Sequence, residues 1–402
     1  MHILPILSTL RRHRTAAALI VLEISLTCAI ICNALFLIRE RLGRMSVESG
    51  LAETEMVRVR LTGVGRDANP SALTREDLAS LSAIPGVKAA AVTNQVPFGN
   101  SSWNSGFSLD PDQLHSNVDA TTYFGSDQLV EALGVTLIAG RDFNPDEYVE
   151  FEPDGAKVPA IILTRTVAEK LFPGQSAVGK TLYMDKDPIR VVGIVDHLVR
   201  PNEIGGATEN EYATILPMRL PYTNGGNYIL RVAPERRTEV LAAAAAALMH
   251  NGPNRIILDK QTFEELRRDF FRGDRSMAWL LVAVSVALLV ITALGIVGLA
   301  SFWVQQRTRQ IGIRRALGAT RRQILRYFQT ENFLLATLGI VLGMALAYGI
   351  NIWLMKRYEL PRLPILFLPI GAVSLWALGQ LAVLGPALRA TSVPPAIATR
   401  SV

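Results

Sequence analysis

Four stretches of the chain run without the polar punctuation of a water-soluble protein: 16–38, 277–304, 331–355 and 365–388. Each is long enough to cross a hydrocarbon layer about 30 Å thick as a single helix. The first reads AAALIVLEISLTCAIICNALFLI. It exceeds the apolar core of a signal peptide and shows no A-x-A-like cleavage site, so it is expected to stay as a spanning helix.

Between the first and second runs the periodicity shortens. EMVRVRLTG alternates like a strand, LTREDLASLSAIPGVKAAAVTNQVPF reads as helix, turn and strand, and SDQLVEALGVTLIAGRDF reads as helix, strand and a Gly-Arg turn. Similar signals recur through VPAIILTRTVAEKLF, KTLYMDKDPIRVVGIVDHL, YATILPM and NYILRVAPERRTEVLAAAAAALMH. The expected fold class is therefore a membrane protein with four transmembrane helices plus a large α+β domain at 39–276, between the first and second helices, in one lobe or two. QTFEELRRDFFRGDRSMAWL reads as a helix leading into the second span. Unbroken, it would be a rigid stalk.

Composition agrees. Half of the 402 residues are hydrophobic, too many for an ordinary soluble protein, while 19% are charged, too many for spans alone. The charge pattern sets the topology. Arg307, Arg309, Arg314, Arg315, Arg321, Arg322 and Arg326 lie between Val304 and Glu331 with no lysine or acid among them. Such a segment belongs on the cytoplasmic side. If 305–330 is inside, then 1–15 and 389–402 are cytoplasmic, 39–276 is outside, and 356–364 is an outer hairpin. The net charge of +6 follows from this topology, and no nucleic-acid partner is needed. Within 305–330, Ile311, Leu317, Ile324 and Leu325 can share one face, with Gly312 and Gly318 as breaks. The expectation is a short amphipathic helix on the membrane surface, a turn, and entry into the third span.

One motif points to a wrong answer. Gly174 to Thr181 satisfies G-x-x-x-x-G-K-[ST], with Gly174, Gly179, Lys180 and Thr181 in the phosphate-loop positions. That chemistry needs a strand before the loop and a helix after it. Here a helix signal precedes and strand signals follow, so the match is read as false. His2, His13, His115, His197 and His250 are scattered, and Asp196-His197 reads as a surface pair. No catalytic or metal site and no cofactor is expected in this chain.

Cys28 and Cys32 stand four apart in the first span and read as packing residues. Glu23 lies in the same span, where a central carboxylate costs roughly 2.5–3.5 kcal/mol, so it is protonated, paired or reached by water. Glu331, at the inner edge of the third span, either pairs with a loop arginine or is solvated. Gly339, Gly343 and Ala347 line up small residues for close helix contact.

The run RTRQIGIRRALGATRRQIL with Glu331 resembles the signature of the MacB/FtsX-like permeases, the membrane subunits of type VII ABC transporters. Gln306 and Gln310 stand where that family usually has acids. The order GR-F, LFPG, VGK, VVGIV resembles the family's extracytoplasmic core domain, and Pro386, Arg389, Ala390, Pro395 and Ala398 resemble its closing pattern. The resemblance implies a permease of the bacterial inner membrane that carries no nucleotide site, paired with a second permease chain and with a separate ABC ATPase that holds ATP and Mg. It implies mechanotransmission, with Ile311, Gly312, Arg314, Arg315, Leu317 and Gly318 as the ATPase contact. Within the family the size and the outer-domain motifs favour efflux or export of a substrate from the periplasm or outer leaflet, with a periplasmic adaptor and outer-membrane duct; lipoprotein release and cell-wall hydrolase control are the alternatives. Outside it, a membrane-anchored sensor or scaffold remains open.

Overall fold

The computed structural model describes residues 14–65, 67–152, 156–202, 211–224, 226–358 and 362–392. Arg11, Arg12, His2, His13, Pro395, Ala398 and Arg400 lie outside the described residues, as do most of the two terminal segments and part of the 356–364 hairpin. The chain forms two compact units, one spanning Gly43–Gly273 and the other joining the segments before and after it.

The second unit is helical: α1 (Arg14–Met45), α7 (Arg272–Gln306), α8 (Thr308–Ala316), α9 (Arg321–Tyr358) and α10 (Phe367–Thr391), while α2 (Pro70–Ser82), α3 (Leu129–Leu133), α4 (Arg165–Leu171), α5 (Arg237–Asn251) and α6 (Phe263–Phe270) fall in the other unit. All but α8 are long and apolar enough to cross a membrane. Packing in lipid gains nothing from hiding apolar surface from water, so close backbone approach has to supply the contact energy. The small residues provide it. A Cβ added to Gly339 would lie 2.8 Å from Ile24 Cβ, one on Gly343 would lie 2.5 Å from Cys28 Cβ, and one on Gly371 would lie 2.5 Å from Cys32 Sγ. Both cysteines are free thiols, fully buried, and fill these notches as packing residues. Asn33 Nδ2 donates to the Ala347 carbonyl at 3.3 Å, and the Thr27 and Thr292 hydroxyls bond at 2.9 Å.

The other unit is built on one sheet. Among the described residues its strands are β1 (Met56–Gly63), β2 (Val87–Thr93), β3 (Asn104–Phe107), β4 (Val118–Gly125), β5 (Leu137–Gly140), β6 (Val149–Glu150), β7 (Ala160–Thr164), β8 (Thr181–Met184), β9 (Asp187–Val195), β10 (Ala213–Arg219), β11 (Asn227–Val232) and β12 (Arg255–Thr262). The order is β12-β1-β11-β2-β4-β10-β7-β9-β5, with β3, β6 and β8 on the flanks. Helices α2 (Pro70–Ser82) and α5 (Arg237–Asn251) cover the β12-β1-β11-β2 half around Leu81, Tyr228 and Leu248. Helix α4 (Arg165–Leu171) covers the other half around Phe124, Ile161 and Val191. Sheet and helices segregate as an α+β fold requires.

The two halves answer the question of lobes: there is one sheet with a narrow waist. β2 and β4 share a single ladder pair, Thr93↔Gly125. Side-chain amides bridge the rest, with Asn94 Nδ2 and Gln95 Nε2 donating to Thr122 O at 3.0 and 2.9 Å, and Trp103 N–H donating to Gln95 Oε1 at 2.7 Å. Under the first half, Arg255 and Asp77 form a fully buried ion pair, which Tyr228 Oη (2.5 Å) and Asn251 Nδ2 (3.1 Å) complete. In the Gly-Arg turn, Arg141 grips Glu147 through two bonds of 2.7 and 2.6 Å, and that charged donor holds the Glu147 carboxyl below its ordinary range.

The helical stretch leading into the second long helix is broken, so it is not the rigid stalk that an unbroken helix would have made. Helix α6 (Phe263–Phe270) starts at a capping box between Thr262 and Glu265 and closes at Phe271, and α7 begins at Arg272. Phe271 is buried against Phe98 and Phe270, with ring centroids 5.8 and 4.9 Å away. Anchoring that ring in the core takes precedence over continuing the helix.

Candidate functional site

The arginine-rich segment folds as a bracket. The chain bends at Arg307 (φ −105°, ψ 9°), where α7 ends and α8 starts. The Thr308 hydroxyl donates back to the carbonyls of Val304 and Gln305 at 3.0 and 2.8 Å, competing with the helical ladder at the bend. Helix α8 stops in a Schellman motif: Gly318 N–H donates to Arg315 O at 3.1 Å and Ala319 N–H to Arg314 O at 3.0 Å. Gly318 has φ +95°, the left-handed conformation that this stop requires. A capping box then opens α9, with Gln323 N–H donating to Thr320 Oγ1 (3.3 Å) and Thr320 N–H to Gln323 Oε1 (2.8 Å).

The bracket has two faces. Ile311 and Gly312 are buried, with Ile311 packed in one cluster with Ile324 and Phe328. Arg314 lies over the Tyr327 ring, 5.0 Å from its centroid, and ties α8 to α9. Ile313 and Leu317, four apart and therefore on one side, are 47% and 83% exposed. Contrary to expectation, Leu317 is therefore not on the face of Ile311 and Ile324: six residues from Ile311 is about 240° round a helix, which puts Leu317 on the Ile313 side. Arg315 is half-buried, and Gly318 is exposed in the stop.

Glu331 is the member of the set whose alternatives the structure decides. Arg307 NH1 donates to both of its carboxylate oxygens, at 3.1 and 2.9 Å, with both side chains more than nine-tenths buried. Trp303 packs against the same guanidinium, 5.5 Å from its ring centroid. The pair fixes the bend before α8 to the first third of α9. Glu23 is half-buried against Gly295 of α7, where an added Cβ would lie 2.5 Å from its Oε2, and its Oε1 has no hydrogen-bond partner among the described residues.

The phosphate-loop look-alike lies in the sheet unit. Gly174 and Gly179 have φ +72° and +86°, but α4 precedes them and β8 follows. The Gly179 amide donates to Val191 O at 2.8 Å, the Lys180 amide to Ala177 O at 3.1 Å, and Thr181 opens β8. This order is the reverse of a phosphate cradle, and those two amides are spent on the turn and the ladder. His197 Nε2 bonds the Glu48 carbonyl at 2.7 Å, while Asp196 pairs with Arg165 at 2.6 Å, so the two neighbours are engaged separately. Among the described residues no group of three or more histidines, cysteines or acids could hold a metal ion.

Arg307 as an anchor, Tyr327 as a seat for Arg314 and Ile313 as an exposed knob were not singled out by sequence. Only the T-x-x-Q box at Thr320 had a readable signal.

The family model described as MacB-like periplasmic core domain matches residues 31–248, and that described as FtsX-like permease C-terminal matches 282–395. The macrolide export ATP-binding/permease protein MacB of Chromobacterium violaceum is 27% identical over 231 residues, 54% of this chain and 33% of that protein. The ABC transporter permease YvrN of Bacillus subtilis is 27% identical over 254 residues, 60% of this chain and 61% of that protein. The crystal structure of the periplasmic region of MacB from Actinobacillus actinomycetemcomitans gives a TM-score of 0.33 at 13% identity, covering 55% of this chain and 94% of that one. The chain spans about a third of the length of the MacB relatives. With a core-domain match over more than half of its length and a permease match over its last three long helices, the chain belongs to the MacB/FtsX-like ABC transporter permeases.

Proposed function

We propose that the chain is the permease subunit of an ABC transporter in the bacterial inner membrane, with 305–330 and both termini cytoplasmic and the sheet unit outside. A separate ATPase subunit docks on α8 and holds ATP and Mg. Its closure, in a complex with two permease chains, is transmitted through the helices to the outer domain. The work done is export of a substrate from the periplasm or the outer leaflet, with an adaptor and an outer-membrane duct as further partners.

One observation carries this reading. Helix α8 is braced from behind by Arg307–Glu331 and Arg314–Tyr327, yet presents Ile313 and Leu317 outward. A braced helix with an exposed apolar knob is what a push-transmitting contact needs. Within the expected contact set, Leu317 and Gly318 are exposed, whereas Ile311 and Gly312 seat the helix and Arg314 ties it to α9.

The test is ATP hydrolysis by the chain reconstituted in nanodiscs with the ATPase subunit encoded beside it. Leu317→Asp puts a charge at the centre of the contact. It is expected to weaken docking by about 30-fold or more, the scale of a hot-spot residue losing about 2 kcal/mol. Unchanged docking and turnover in a folded Leu317→Asp variant refutes the assigned contact. No association of the wild-type chain with this or other ATPases refutes the transport reading and favours a sensor or scaffold.

A further inference from the structure

Between α8 and the first two turns of α9 lies a cavity of about 500 Å³. Its ten lining residues include Arg307, Arg314 and Arg326, and none is acidic. Ile311, Ile324 and Phe328 form its apolar part. Glu331 neutralises one of the three arginines, so the cavity keeps an excess of positive charge. Two further observations point to a ligand. Arg307, more than nine-tenths buried, has an NH2 group with no hydrogen-bond partner among the described residues. The Arg326 guanidinium is exposed and makes no ion pair or hydrogen bond among them.

We propose that this cavity binds the headgroup of an anionic phospholipid, with the first part of its acyl chains along Ile324 and Phe328. The position argues for lipid. The cavity opens at the start of a helix long and apolar enough to span, which places it at headgroup depth, and Trp303 and Tyr327 are the aromatic residues typical of that layer. Basic pockets between spanning helices at the inner surface suit phosphodiester headgroups. A soluble phosphate would satisfy the arginines but leave the apolar wall in water. The site is independent of any ATPase. A bound lipid would wedge α8 against α9 and so make its posture sensitive to membrane composition.

The experiment is native mass spectrometry of the full chain in mild detergent, titrated with phosphatidylglycerol and with phosphatidylcholine of the same acyl chains. Phosphatidylglycerol is expected to bind more tightly. The Arg314→Gln/Arg326→Gln variant is expected to lose about 30-fold in affinity, or about 2 kcal/mol for two arginines facing anionic lipid. Arg309→Gln/Arg322→Gln removes the same charge from exposed positions outside the cavity and is expected to bind like wild type. Both variants are first shown to elute and melt as the wild type does. Equal affinity for the two lipids, an unaffected cavity variant, or equal loss in both variants overturns the proposal. Full competition by glycerophosphoglycerol, the same headgroup without chains, also overturns it and assigns the cavity to a soluble phosphodiester. A wild-type chain that binds no phosphatidylglycerol leaves the cavity to an acidic segment of a partner protein.

Discussion

At the scale of single residues, the Arg307–Glu331 pair is the contact on which the posture of α8 depends, and its energetics are asymmetric. Removing two charges from water costs several kcal/mol each, and their attraction offsets this only while both are present. Glu331→Gln is therefore expected to destabilise the helical unit by about 3–5 kcal/mol, because it leaves Arg307 buried with no counter-charge. Replacing both, as Arg307→Met with Glu331→Leu, is expected to recover most of that loss. Thermal unfolding of both variants in detergent checks this. A single variant as stable as the wild type would show that the pair is solvated in the membrane. The pairing itself was only half legible in the sequence. Seven arginines were candidates for Glu331, and the choice of Arg307 depends on a bend at that residue, which the Thr308 hydroxyl stabilises and no glycine or proline marks.

At the scale of elements, the helical unit depends on how closely α9 approaches α1. Gly343 sits where Cys28 Cβ and the Ser25 carbonyl leave room for hydrogen alone, at 2.5 and 2.7 Å from an added Cβ. Gly343→Leu is expected to separate the two helices and cost about 3 kcal/mol or more, at or beyond the upper end for overpacking, because backbone blocks relief. The readout is loss of monodisperse protein on size exclusion. Gly349→Leu, at an open position on the same helix, is the control expected to be silent. This contact could be read in advance because Gly339, Gly343 and Ala347 repeat every four residues, and so could the four spans, whose signal is local hydropathy. Three features could not. The break at Phe271 depends on a ring finding a pocket formed by Phe98, far away in sequence. The exposure of the Ile313 and Leu317 side depends on which face of α8 packs in the cluster of Ile311, Ile324 and Phe328, a tertiary choice. Joining of the sheet halves through one residue pair is a long-range register, invisible to any window along the chain.

At the scale of the whole molecule, the reading depends on which side of the membrane each unit occupies, and a single experiment decides it. The arginine density of 305–330 is expected to set the orientation, since a long domain such as 39–276 crosses largely regardless of its own charge. The native cysteines leave a clean background, because Cys28 and Cys32 are fully buried and out of reach of a charged maleimide. Leu114→Cys places a thiol at a position 94% exposed in the sheet unit, and Arg309→Cys places one at an exposed position on α8. In right-side-out vesicles the first is expected to label at once and the second only after permeabilisation, and inverted vesicles should give the opposite order. Labelling of Arg309→Cys from outside would put the arginine-rich bracket on the wrong side for any cytoplasmic ATPase. It would overturn the proposed transport mechanism while leaving the family and the fold untouched. The expected order would place the braced Ile313 and Leu317 knob in the compartment that holds ATP, which the docking experiment on Leu317 requires before its result can be interpreted.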